Sequence, residues 1–214
     1  MKEKAKLNSA GFAAAIVIVF AFLFSLAAVH VVKAYADSPY FNDFYVSLNG
    51  GAVQTTSSGL SLSGGTVNLS LGKNYNFGGL VIGGVVNGGY ASNGSHTYSN
   101  FDGYGDNETL SVYSVYYSAA VKAGYAINNF MPFVKLGYIG YSYAENYSYS
   151  GPYGDYYLSS VSPVSSEGCL MYGAGVEYLF NRTWGITAQY LRASLSGGDT
   201  TNSYTIGIDY NFNF

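Results

Sequence analysis

Residues 204–214 alternate without a break. Tyr204, Ile206, Ile208, Tyr210, Phe212 and Phe214 are apolar; Thr205, Gly207, Asp209, Asn211 and Asn213 between them are small or polar. Successive side chains of a β-strand point to opposite faces, so this segment predicts a strand with one greasy and one wet face. Seven earlier segments carry the same signature, at about residues 44–52, 66–75, 80–91, 110–126, 133–143, 168–180 and 184–195. Eight strands are therefore expected. A soluble sandwich uses the same alternation, so other features must separate the two folds.

The connections alternate as well. Short turns are expected after strands two, four and six, at Asn76-Phe77-Gly78, Asn128-Asn129 and Asn181-Arg182. Longer connections follow strands one, three, five and seven, at residues 54–65, 92–109, 145–167 and 196–202. Short turns on one rim and long loops on the other are the pattern of an outer-membrane barrel, with the short rim at the periplasm. The expected fold is all-β, an eight-stranded antiparallel transmembrane up-and-down barrel.

The start of the chain agrees with export. Lys2, Lys4 and Lys6 precede an uncharged run over residues 7–32, and Ala34-Tyr35-Ala36 places small residues where signal peptidase reads. The expected division is a cleavable signal peptide over residues 1–36 and a barrel domain over residues 37–214. The apolar run is also long enough to span a bilayer as a helix, and an uncleaved inner-membrane anchor is the alternative. Without residues 1–36 the chain keeps five basic and eleven acidic side chains, a net of about −6. With no basic patch, nucleic acid is excluded as a partner. A single Cys169 forms neither an internal disulfide nor a metal cluster, and no cofactor is expected. Low charge, abundant Gly, Tyr, Ser and Asn, and few Pro suit an outer surface facing lipid.

Several segments resemble the OmpA-like family of small outer-membrane barrels, which includes opacity-type surface proteins. The likeness is carried by residues 172–190 (YGAGVEYLFNRTWGITAQY), by Gly72-Lys73-Asn74-Tyr75 and by Ala123-Gly124-Tyr125-Ala126. The final Tyr210, Phe212 and Phe214 resemble the aromatic signal read by the barrel assembly machinery, which the likeness implies as a partner beside outer-membrane lipid. The soluble peptidoglycan-binding domain of some relatives does not follow the eighth strand, so a cell-wall anchoring role is not expected.

Alternation sends four charged residues inward: Lys122, Lys135, Glu177 and Asp209. Each lies about four to six residues from a periplasmic end, so they should share one level. Eight strands enclose a bore just wide enough for side chains. Opposite charges there are expected to form a hydrogen-bonded plug, with a gated conduction path as the alternative. Lys73 falls on the lipid-facing parity close to a turn, where it can snorkel to the interface.

Candidate chemistry elsewhere is sparse. His96, with Ser95, Ser99 and Asp102, supplies triad ingredients within an expected loop, but a Ser, Gly and Asn loop holds no base rigidly. Asp102, Asp106 and Glu108 lack the spacing of a calcium loop. Cys169 is expected to be a small packed residue. The outer connections carry Tyr98, Phe101 and Tyr104, then Tyr141, Tyr143, Tyr147, Tyr149, Tyr153, Tyr156 and Tyr157. Tyr141 and Tyr143 are expected in an aromatic girdle. Tyr149, Tyr153, Tyr156 and Tyr157 are candidate contacts for an unidentified surface ligand, since Tyr among Ser, Gly and Asn resembles paratope composition. The expected role is non-enzymatic, structural or surface-interacting, in the outer membrane. A narrow pore and a lipid-acting enzyme are the alternatives.

Overall fold

A computed structural model describes residues 40–57, 60–99, 107–151, 154–158, 166–195 and 198–212. The expected signal peptide, Phe101, Asp102, Tyr104, Asp106, Tyr153 and Phe214 lie outside these residues. The strands are β1 (Phe44–Ser57), β2 (Leu60–Phe77), β3 (Leu80–Tyr98), β4 (Asn107–Tyr125), β5 (Phe130–Gly151), β6 (Gly154–Leu158), β7 (Ser166–Leu179), β8 (Trp184–Ser194) and β9 (Thr200–Phe212). Each of β1 to β5 and β7 to β9 pairs antiparallel with its neighbours, and β1–β9 and β4–β5 complete the circuit. Eight strands form the ring. The ninth, β6, pairs with the outer end of β5.

The outer connections differ from the sequence reading. Most of residues 54–65, 92–109 and 145–167 is strand: β1 and β2 stay in register to Ser57↔Leu60, and β3 and β4 to Tyr98↔Glu108. Alternation fades there because a strand standing in water has no apolar side to present, while its backbone still requires partners. On the β3–β4 pair the register also shifts between Ser92 and Gly94. A bulge reverses which parity faces inward, and a period-2 reading stops at it.

Inside the belt the expected faces hold. Leu48, Leu71, Val121, Leu136, Leu170, Ile206 and Ile208 are each at least half exposed. Soluble proteins do not display apolar surface on this scale; lipid covers it. Near the periplasmic turns Phe44, Tyr75, Phe77, Tyr178, Phe180, Trp184 and Phe212 form an exposed aromatic band. The rings of Trp184 and Tyr210, and of Tyr210 and Phe212, meet edge to face at 5.0 Å.

The periplasmic turns follow from their residues. Gly78 and Gly79 adopt φ of 66° and 102°, open to glycine at little cost, and the Asn76 side chain accepts from the Gly79 N–H. Asn128 takes φ 57° between the bridged Ile127 and Phe130. The Asn181 side chain accepts from the Thr183 and Trp184 N–H groups, closing the third turn.

Candidate functional site

The lumen is filled in layers. At the periplasmic mouth Phe41 packs with Val81, Ala126, Met131, Phe133 and Leu179, all buried. Phe41 precedes the first strand and holds φ 62°, a left-handed conformation a bulky residue rarely adopts. Its segment is tied to β2: the Asn42 side chain accepts from the Asn76 N–H, and the Asn76 side chain donates to the Tyr40 carbonyl. Sequence reading missed this stopper, because residues 40–43 are too short to show a period.

The four charged residues come together above that layer, all buried. Lys122 Nζ donates to Glu177 Oε2 at 2.8 Å, forming a buried ion pair. Lys135 makes a different contact, donating to Gln189 Oε1 at 2.6 Å. Asp209 accepts from Ser47 and from the Thr187 hydroxyl, the latter at 2.5 Å. Two carboxylates and two ammonium groups therefore share a level; Lys122 and Glu177 pair directly, while Lys135 and Asp209 hydrogen-bond to neutral side chains. Gln189, Ser47 and Thr187 complete the layer; the reading of charges alone did not find them, although each lies on the inward parity of its strand. The ammonium of Lys122 also lies over the rings of Tyr45 at 4.5 Å and Phe133 at 5.3 Å, and that of Lys135 over Phe133 at 5.2 Å. Phe133 thus joins the charged layer to the apolar one.

Neutral amides and hydroxyls stand above the charges. Asn49 donates to Asn68 at 3.0 Å and Ser70 at 3.1 Å, and Gln189 donates to Thr205 at 3.1 Å. The Asn49 carboxamide occupies space that a side chain at Gly207 would fill. Higher still, Tyr116, Ile139, Tyr141, Met171 and Leu191 surround a small cavity of about 30 Å³, room for about one water. Cys169 is buried in this layer. Tyr141, expected in the girdle, is buried here too, stacked on Tyr143 and tilted against Tyr116. Its parity is that of Lys135, so a strand already committed to an inward Lys135 carries Tyr141 inward with it.

Outside the ring, β5 runs on and pairs with β6 over Tyr147↔Leu158 to Gly151↔Gly154, placing Tyr149 opposite Tyr156 and Tyr157 opposite Ser148. On its other edge β5 stays paired to β4 as far as Asn107↔Ser150. The candidate contacts Tyr149, Tyr156 and Tyr157 therefore lie on strand backbone rather than in a loop.

His96 is also on a strand, β3, against the expectation of a loop. It is paired with Leu110, and paired residues share a face. Its same-strand neighbours on that face are Gly94 and Tyr98, with Glu108 and Val112 diagonal on β4. The Tyr98 ring meets the imidazole edge on at 4.6 Å. Ser95, adjacent in a strand, points to the opposite face, so this Ser and His are not brought together. Among the described residues no group of three or more His, Cys, Asp or Glu is arranged to hold a metal ion.

Comparison with solved structures returns small outer-membrane barrels. The attachment invasion locus protein Ail of Yersinia pestis matches with a TM-score of 0.52 and 16% identity, covering 80% of this chain and 99% of Ail. Neisserial surface protein A matches with a TM-score of 0.51 and 16% identity, covering 79% and 97%. The outer membrane enzyme PagL is more distant, with a TM-score of 0.42 and 17% identity over 78% and 99%. At such identities the likeness concerns the fold. No curated protein matches in sequence. A family model for the outer membrane protein beta-barrel domain matches residues 19–212, nearly the whole chain. The chain belongs to this outer-membrane β-barrel family, and its place is the outer membrane.

Proposed function

We propose that this barrel is a non-enzymatic surface protein: a filled, rigid pedestal that presents an aromatic β-sheet outside the membrane for contact with a partner. One observation carries the reading. The strands β3, β4, β5 and β6 continue outward as one hydrogen-bonded sheet, so the tyrosines at positions 149, 156 and 157 sit on paired strand backbone. Tyr offers large contact area at low entropy cost, and a stiff platform lowers the ordering cost of binding further. The layered lumen supports the pedestal half of the proposal, since buried amides and charges with partners favour a fixed interior over a conducting path. Barrel assembly machinery and outer-membrane lipid are the partners proposed for its biogenesis. The test is adhesion or ligand capture by cells displaying the intact protein or a form lacking residues 146–166. Loss of binding with an intact barrel supports the reading; unchanged binding sinks it.

A lipid-acting enzyme is the second reading, and the position of His96 on a strand is the observation that keeps it. Glu108 lies diagonal to it, and a carboxylate can orient an imidazole base. Among the described residues of β3 and β4, the side chains beside His96 on its face are Tyr98, Glu108, Leu110 and Val112, and none is an aliphatic hydroxyl or a thiol. The non-enzymatic reading is preferred on that ground.

A further inference from the structure

The lipid-facing surface carries a shallow, open groove whose wall includes one cation, Lys73. A continuous row of cross-strand partners crosses it: Phe212, Phe44, Lys73, Gly84, Val121 and Leu136, on β9, β1, β2, β3, β4 and β5 in turn. All point toward lipid. Gly84, directly beside Lys73, is the gap in the row, and a side-chain carbon added there would meet nothing within 4 Å. In the next row Leu71, Val86 and Ala119 continue the depression.

The groove climbs from the interface into the hydrocarbon. Lys73 lies four residues from the periplasmic end of β2, within the aromatic band, while Leu170 at the far end lies nine residues from the periplasmic end of β7. Lys73 is fixed at the low end. Its ammonium donates to the Asn42 carbonyl at 2.9 Å and lies over the rings of Phe44 at 4.7 Å and Tyr75 at 5.3 Å. The carbonyl takes one of three donors, leaving the positive charge available to an anion at headgroup depth.

We infer that this groove is a binding site for a single anionic diacyl phospholipid of the inner leaflet, with its phosphate on Lys73 and an acyl chain lying over Gly84. The occupant follows from charge and depth together. A second copy of the chain would bring another Lys73 or an apolar belt to the groove and would not neutralise the ammonium. A phosphodiester at the interface neutralises it while its tail covers the gap. The reading is independent of the outer sheet and stands whether or not that sheet binds a partner.

Native mass spectrometry of the intact detergent-folded barrel, titrated with phosphatidylglycerol or phosphatidylcholine, tests it. The wild type should retain one phosphatidylglycerol saturably and in preference to phosphatidylcholine. Lys73→Gln should weaken phosphatidylglycerol retention about fivefold and remove the preference, the loss expected for one basic contact to anionic lipid. Gly84→Leu should fill the gap and reduce retention of both lipids, while the heat-dependent gel shift of the barrel stays that of the wild type. Equal retention by all three proteins overturns the proposal, as does absence of a bound lipid on the wild type or a lipid-free dimer formed through this face.

Discussion

Lys122 and Lys135 are cross-strand partners on β4 and β5, both facing the lumen, yet they are satisfied differently. Lys122 reaches Glu177, and Lys135 reaches the neutral Gln189. Like charges placed side by side repel, so each ammonium depends on the group that draws it away from the other. Glu177 should therefore be the least replaceable member of the layer. Glu177→Ala leaves a buried ammonium without its carboxylate and should cost about 3–5 kcal/mol. Replacing both partners, Lys122→Met with Glu177→Met, removes the charge along with its partner and should cost less than Glu177→Ala alone. Urea unfolding of the refolded barrel in lipid vesicles, followed by Trp184 fluorescence, measures both. A double variant less stable than the single one would contradict this account.

At Phe41 the smaller replacement should be the more stable one. Phe41 combines deep burial with φ 62°, so any non-glycine replacement keeps the strain and loses the packing. Phe41→Ala should therefore be less stable than Phe41→Gly by about 1 kcal/mol, although Gly is the smaller residue. Equal stability, or a more stable Ala variant, would show that residues 40–43 relax once the ring is gone.

These two sites mark where sequence reading succeeds and where it stops. The ring of eight strands was legible because the bilayer forces apolar alternation on every strand that crosses it, and the periplasmic turns were legible in their Asn and Gly residues. The level of Lys122, Lys135, Glu177 and Asp209 followed from parity and distance to the turns. Their partners did not, because which of two acids a buried Lys reaches depends on the angle around the barrel, and pairing across the lumen leaves no trace in spacing. His96 was misplaced because strands outside the membrane lose the alternating signal and a bulge near Asn93 resets it. Phe41 belonged to no periodic segment at all.

A filled lumen should not conduct. Planar-bilayer recordings of the wild-type barrel should show no stable conductance steps, since an apolar layer around Phe41 and a charged layer around Lys122 both obstruct the bore. Phe41→Ala should leave that silence unchanged, because the charged layer remains. Reproducible ion-selective steps that change on substituting Lys122 or Lys135 would favour the pore reading instead.

Assembly should depend on the aromatic end of the chain. Tyr210 and Phe212 sit in the periplasmic band, with Phe212 paired to Phe44 at the seam between the first and last strands. Deleting Phe214, or replacing it with Asp, should lower the amount of heat-modifiable barrel in outer-membrane fractions several-fold. Purified chains refolded into detergent should be much less affected, because no assembly machinery is involved there. Equal loss in both settings would assign the aromatic end to stability rather than recognition.

The outer sheet is separable from the membrane ring. Removing residues 146–166 takes away the hairpin formed by β6 and the end of β5 but leaves the β5–β7 pairing from Phe130↔Tyr178 to Tyr141↔Glu167, and with it the closed circuit within the membrane. The shortened barrel should fold, judged by its gel shift on heating, and should lose surface binding. Replacing Tyr149, Tyr153 and Tyr156 with Ser keeps the length of the segment and tests the aromatic rings alone. Anchor tyrosines at a contact centre contribute about 2 kcal/mol each, so the triple change should weaken binding by well over a hundredfold if all three serve. His96→Ala should leave adhesion untouched, since His96 lies on β3 rather than on this hairpin. It also separates the two functional readings: loss of an acyl-hydrolysing activity in His96→Ala, with binding intact, would transfer the function from the tyrosine sheet to the histidine.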